Sequence, residues 1–70
     1  MDAKNTRKLE VYLEKIFGGQ DVRIVPNAAD PEMAEVYIDD EFVGTMYRDL
    51  EDGEAAYSFT MSILEADLGV

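Results

Sequence analysis

Carboxylates are the groups this chain has in excess, sixteen of them, and they are where a search for chemistry starts. Two clusters fall on expected turns: Asp39-Asp40-Glu41, and Asp49 with Glu51-Asp52-Gly53-Glu54. Hard cations such as calcium take oxygen ligands from acidic loops. The second cluster departs from the spacing of an EF-hand loop, which needs glycine at its sixth position and a bidentate glutamate at its twelfth. Counted from Asp49, Gly53 is fifth, no such glutamate follows, and two flanking helices are missing. Weak condensation of cations on both turns is the plainer expectation, with weak divalent-cation binding as an alternative role. General acid–base work with carboxylates alone needs two of them facing each other across a pocket, and a two-layer fold of seventy residues rarely leaves one. Ser58, Thr60 and Ser62 have no histidine to activate them. With no histidine and no cysteine, a Cys/His zinc site, thiolate chemistry and a disulfide are all excluded. The residues therefore predict no enzyme, no cofactor and no metal site.

The elements that position these turns are legible from periodicity. Leu9, Tyr12, Leu13, Ile16 and Phe17 recur at spacings of three and four, the mark of a helix with one apolar face, here expected to be core. Asp2 or Asn5 caps its start, and Gly18-Gly19 ends it. Glu10 and Glu14, near Arg7 and Lys8, offer only small charge-pair support. Asp21 to Val25 reads as a short strand stopped by Pro26, and Asn27 to Glu32 as an exposed loop, the most mobile segment expected. Met33 to Ile38 and Phe42 to Arg48 read as strands joined at Asp39-Asp40-Glu41. A second turn, Leu50 to Glu54, contains the hairpin dipeptide Asp52-Gly53. Tyr57-Ser58-Phe59-Thr60-Met61-Ser62-Ile63 alternates strictly and anchors a fourth strand, from about Ala55 to Leu64. Glu65 to Val70 is a short tail of one helical turn. The order α-β-β-β-β predicts a single α+β domain over residues 1–70. Its N-terminal helix packs on one face of a small, mainly antiparallel four-stranded sheet, and the last three strands form a meander.

A single helix covers one face of such a sheet, and the hairpin of the second and third strands carries apolar groups on both. With the turn centred on Asp39-Asp40, Ile38 opposes Glu41, Tyr37 opposes Phe42 and Val36 opposes Val43. Val36, Ile38 and Val43 then share one face, and Tyr37, Phe42 and Met46 the other. Two arrangements fit. In one, sheet twist or a different register, with the loop or tail, hides the second face. In the other, Tyr37, Phe42 and Met46 form an exposed patch that meets a partner protein or a second copy, with Asp39, Asp40 and Glu41 as its acidic rim.

Charge narrows the partners. Through residue 15 four basic residues face three acidic ones; beyond it two arginines face thirteen carboxylates, and the net charge is −10. A body this acidic repels phosphate backbones and anionic lipid surfaces, which argues against nucleic acid and membrane as partners. The plain reading is charge that keeps a small domain soluble; the sharper one is an acidic mimic that engages a basic partner. No run of apolar residues suits a signal peptide or a membrane span, so a soluble, cytoplasmic protein is expected. Small unstapled domains often lean on oligomerisation, which favours a homodimer.

Leu9-Glu10, Tyr12-Leu13, Phe17-Gly18, Ala34-Glu35-Val36-Tyr37-Ile38, Asp40-Glu41-Phe42-Val43-Gly44, Glu51-Asp52-Gly53, Tyr57-Ser58-Phe59, Ile63-Leu64-Glu65 and Asp67-Leu68 together resemble a family of short alphaproteobacterial proteins defined as a domain of unknown function. The resemblance spans nearly the whole chain and implies a free-standing domain; it implies no activity, substrate or catalytic residue. The expected role is a small acidic, non-catalytic protein-interaction module that uses the apolar hairpin face.

Overall fold

A computed structural model describes residues 2–69, the side chain of Asp67 excepted; Val70, the end of the expected tail, lies outside the described residues. A helix, α1 (Ala3–Ile16), precedes four strands: β1 (Val22–Pro26), β2 (Met33–Ile38), β3 (Glu41–Glu51) and β4 (Glu54–Met61). A 3₁₀ turn, Glu65–Leu68, follows. The strands form one open sheet in the order β1-β2-β3-β4, antiparallel throughout. The α+β architecture is thus the expected one, and the meander includes β1 as well.

Local chemistry sets the boundaries. The Asp2 carboxylate accepts the Asn5 N–H at 2.8 Å and caps α1. The buried Thr6 hydroxyl donates to the Asp2 carbonyl, also at 2.8 Å. At the other end Gly18 and Gly19 take positive φ, and the Gly19 N–H closes on the Glu14 carbonyl. Both tight hairpins place two consecutive residues at positive φ: Asp39-Asp40 and Asp52-Gly53, as the two-residue turns that match strand twist require. The second turn is tighter than expected, because β3 continues through Leu50 to Glu51 instead of ending at Arg48. The loop after Pro26 is folded on itself: the Asn27 side chain accepts N–H groups of Ala29 and Asp30, and Asp30 accepts that of Glu32.

The core lies between α1 and the sheet. Leu13, Val22, Ile24, Ala34, Val36, Ile38 and Met46 are buried, with Leu9, Phe17, Val43, Tyr57 and Phe59 packed against them. Phe17 meets Phe59 edge-on, ring centroids 6.4 Å apart.

The helix is rotated from the expected setting. Tyr12 and Ile16, read as core, are 61% and 57% exposed. The reason lies in Glu10 and Glu14. The Glu10 carboxylate accepts the Ile24 N–H at 2.9 Å and Glu14 that of Val22 at 3.4 Å, so both reach over the outer edge of β1. At about 100° per residue, Tyr12 and Ile16 fall on the opposite flank of Leu13 from these two glutamates. Tying one flank to β1 turns the other away from the core.

Candidate interaction surface

Paired residues on neighbouring strands share a face, so the register sorts the sheet into a helix-covered side and an open one. Val22 pairs with Ile38 and Ile24 with Val36; Ala34 pairs with Met46 and Val36 with Gly44. All belong to the covered side. Arg23 pairs with Tyr37, Val25 with Glu35, Glu35 with Thr45 and Met33 with Tyr47, and these belong to the open side.

The β2–β3 hairpin begins as expected, with Ile38 opposite Glu41 and Tyr37 opposite Phe42. It then slips by one residue, so that Val36 opposes Gly44 instead of Val43. Val43 is the extra residue of a β-bulge, and beyond it every side chain of β3 changes face relative to an unbroken strand. Met46 is therefore not part of an exposed patch. It is 2% exposed, in the centre of the core. Thr45 and Tyr47 take the open side in its place.

Gly44 follows the bulge directly and stands against the backbone of β4. A Cβ there would collide with the Thr60 carbonyl oxygen of β4 and stand 2.9 Å from the Met61 Cα. Two backbones come closer than any side chain permits, and only glycine fills that position.

The open side carries Tyr37 and Phe42 as an edge-to-face pair, centroids 5.7 Å apart and rings inclined by 69°. Phe42 is 51% exposed and Tyr47 is 43% exposed; Val25 is exposed as well. Asp39 and Asp40 rim this surface at the hairpin end, while Glu41, exposed like them, pairs with Ile38 and falls on the helix-covered side. Asp40 meets Arg23 at 3.3 Å, and the Asp39 carboxylate accepts the Asp21 N–H at 3.3 Å. Beside Phe42, a hollow of about 540 Å³ is lined by Phe42, Val43, Met61, Ile63 and Leu64, with Glu41 and Ser62. Toward the other end Arg48 pairs with Glu32 at 3.1 Å. The hydrogen bond and charge of Glu32, helped by Tyr57, raise the guanidinium above its ordinary pKa. Arg48 is thus charged at every pH where the fold persists and adds no pH dependence near neutrality.

Tyr47 and Val25 were not among the residues expected here. The lone glycine inside β3 was the available signal for Tyr47, since an isolated glycine in a strand pattern marks a bulge or a close backbone approach. Among the described residues, no group of three or more acidic side chains is placed to hold a metal ion. No helix among them is long and apolar enough to cross a membrane.

Fold and surface together define a small α+β domain, a helix on a four-stranded meander with one sheet face uncovered. The chain belongs to the family described as "Protein of unknown function (DUF3126)", whose model matches residues 5–67. Comparison with curated proteins and with solved structures finds no match.

Proposed function

We propose that this chain is a non-catalytic protein-interaction module that docks a partner on the open face of its sheet. The observation that supports the reading is the Tyr37–Phe42 pair, with Tyr47 further along the same face, on a side that no element among the described residues covers. Large aromatic side chains of this kind are enriched at interfaces. The acidic rim of Asp39 and Asp40, with Glu35 on the face itself, favours a partner whose apolar anchor is flanked by lysine or arginine. An acidic mimic acting through charge alone is the neighbouring reading. The two differ in salt response, because Coulombic attraction between exposed groups fades over a Debye length of about 8 Å at physiological ionic strength while apolar docking persists. We assign the module to the cytoplasm on its acidic, cysteine-free composition.

The test is capture of partners from source-cell lysate at low and high salt, comparing the wild type with a Tyr37→Asp, Phe42→Asp variant of verified fold. Retention by the wild type through high salt, with loss in the variant, is the expected result. Equal capture by both forms would remove the open face from consideration. Capture abolished by salt in both would leave the acidic turns as the site.

A further inference from the structure

The second surface of interest is the outer edge of β4. The Ser62 N–H donates to the Val43 carbonyl of β3 at 3.0 Å. Antiparallel alternation then sends the backbone groups of Thr60, Ser58 and Ala56 toward β3, and those of Ala55, Tyr57, Phe59 and Met61 outward. β4 is the last strand of the sheet, and among the described residues no hydrogen bond reaches these four outward positions. Such a row of donors and acceptors is a template for another strand. Natural edges are usually blunted by proline, a bulge or charge. From Ala55 to Met61 this strand has no charged residue and no proline, and its pairing with β3 runs without a slip.

We propose that a second copy of this chain pairs antiparallel along this edge, in the register centred on Ser58. That register is the one in which all four outward positions find partners: Ala55 faces Met61 of the other copy, and Tyr57 faces Phe59. It also brings Tyr57 and Phe59 together across the seam as cross-strand aromatic neighbours on the helix side, the kind of pair that stabilises sheets. The charge distribution favours a second copy over a basic partner at this place. The carboxylates sit on the turns and on Glu54, while the strip that would be buried is neutral. Glu54 falls opposite Ser62 in this register, so no like charges meet across the seam. Two-fold pairing keeps both helices on one side and both open faces on the other, giving a continuous eight-stranded sheet. The pairing is independent of whether the open face binds a further protein.

The chain has no cysteine, so single introduced thiols report the register directly. Ser58 of the two copies would form a non-hydrogen-bonded pair, with Cα atoms about 4.5 Å apart, within disulfide range. Thr60 would lie about 13 Å from its counterpart, beyond that range. The experiment is sedimentation equilibrium of the full chain from micromolar to millimolar concentration, at low and high salt. It is joined by mild oxidation of Ser58→Cys and Thr60→Cys at equal concentration. Expected are a mass approaching twice 7.9 kDa, tighter association at high salt because two acidic bodies repel less, and a covalent dimer from Ser58→Cys but not Thr60→Cys. Ala55→Pro removes an outward N–H and leaves the β3 ladder intact; it should weaken association about tenfold or more. A mass of one chain throughout, or equal cross-linking of the two thiols, would overturn the proposal. So would unchanged association in Ala55→Pro of verified fold.

Discussion

The two edges of this sheet receive opposite treatment. On β1 the outward N–H groups belong to Val22 and Ile24, and the glutamates of α1 occupy both. The next outward position is Pro26, which has no N–H to offer. On β4 the equivalent row, Ala55 to Met61, meets nothing among the described residues. The same helix that roofs the core thus also closes one side of the sheet, with Glu10 and Glu14 acting as side-chain surrogates for a fifth strand. The polar flank of an amphipathic helix is therefore not automatically a solvent flank. Here it completes hydrogen bonds that the backbone of β1 would otherwise leave to water or to another chain.

The largest loss is expected on the β4 side. Gly44→Ala forces a Cβ into the backbone of Thr60 and Met61. Neither can yield as a flexible side chain would, so the seam between β3 and β4 should open at a cost of about 3 kcal/mol. Urea denaturation should show the fall in midpoint, and sedimentation should show the pairing edge lost with it. A Gly44→Ala variant of unchanged midpoint would mean that β4 is not seated as described.

Next in size is the β1 side. Glu10→Ala with Glu14→Ala removes both caps and should cost about 2 kcal/mol, the scale of hydrogen bonds made to charged groups at a partly exposed site. Adding Pro26→Val supplies the missing donor and leaves both edges open. Sedimentation velocity should then find species larger than two chains. If the triple variant sediments as the wild type does, the caps are not what limits growth.

A smaller effect, of opposite sign, belongs to the turn between the regions. Asp40 sits at φ 67°, a left-handed conformation that costs a side-chain-bearing residue about 1 kcal/mol relative to glycine. Asp40→Gly also gives up the exposed pair with Arg23, which is worth little. A thermal midpoint several degrees higher, with association unchanged, is the expected outcome, and a lower midpoint would assign that pair real weight. The smallest effect is expected at Phe42→Asp on the open face. Stability should stay within about 0.5 kcal/mol of the wild type and self-association should be unaffected, while partner capture is lost. A large drop in stability would recast Phe42 as a structural residue.

Much of the architecture was legible because it is written in local patterns. The strict alternation through Tyr57, Phe59 and Met61 specifies β4. The Asp52-Gly53 dipeptide specifies its hairpin, and the apolar stripe with Gly18-Gly19 specifies α1 and its end. The register next to Asp39-Asp40 also follows from the turn, and Ile38 does face Glu41. What escaped local reading depends on contacts between distant segments. Gly44 admits the backbone of β4, sixteen residues on, and the slip beside it carries Met46 from the expected patch into the core. Glu10 and Glu14 look like ordinary surface glutamates until β1 is placed beneath them, and only that contact explains why Tyr12 and Ile16 stand out in solvent. Of the six residues singled out for an interaction surface, Tyr37, Phe42, Asp39 and Asp40 lie together at one end of the open side, Glu41 sits at the same turn but opposite Ile38 on the covered side, and Met46 is in the core.

A capped edge limits growth as a capped chain end does in polymer chemistry. A monomer with two reactive ends grows without limit, and a sheet with two free edges is such a monomer. A monomer with one reactive end can only couple once, and the product is inert. With β1 sealed by Glu10, Glu14 and Pro26, the proposed pairing of two copies through β4 would leave only capped edges and stop at two chains.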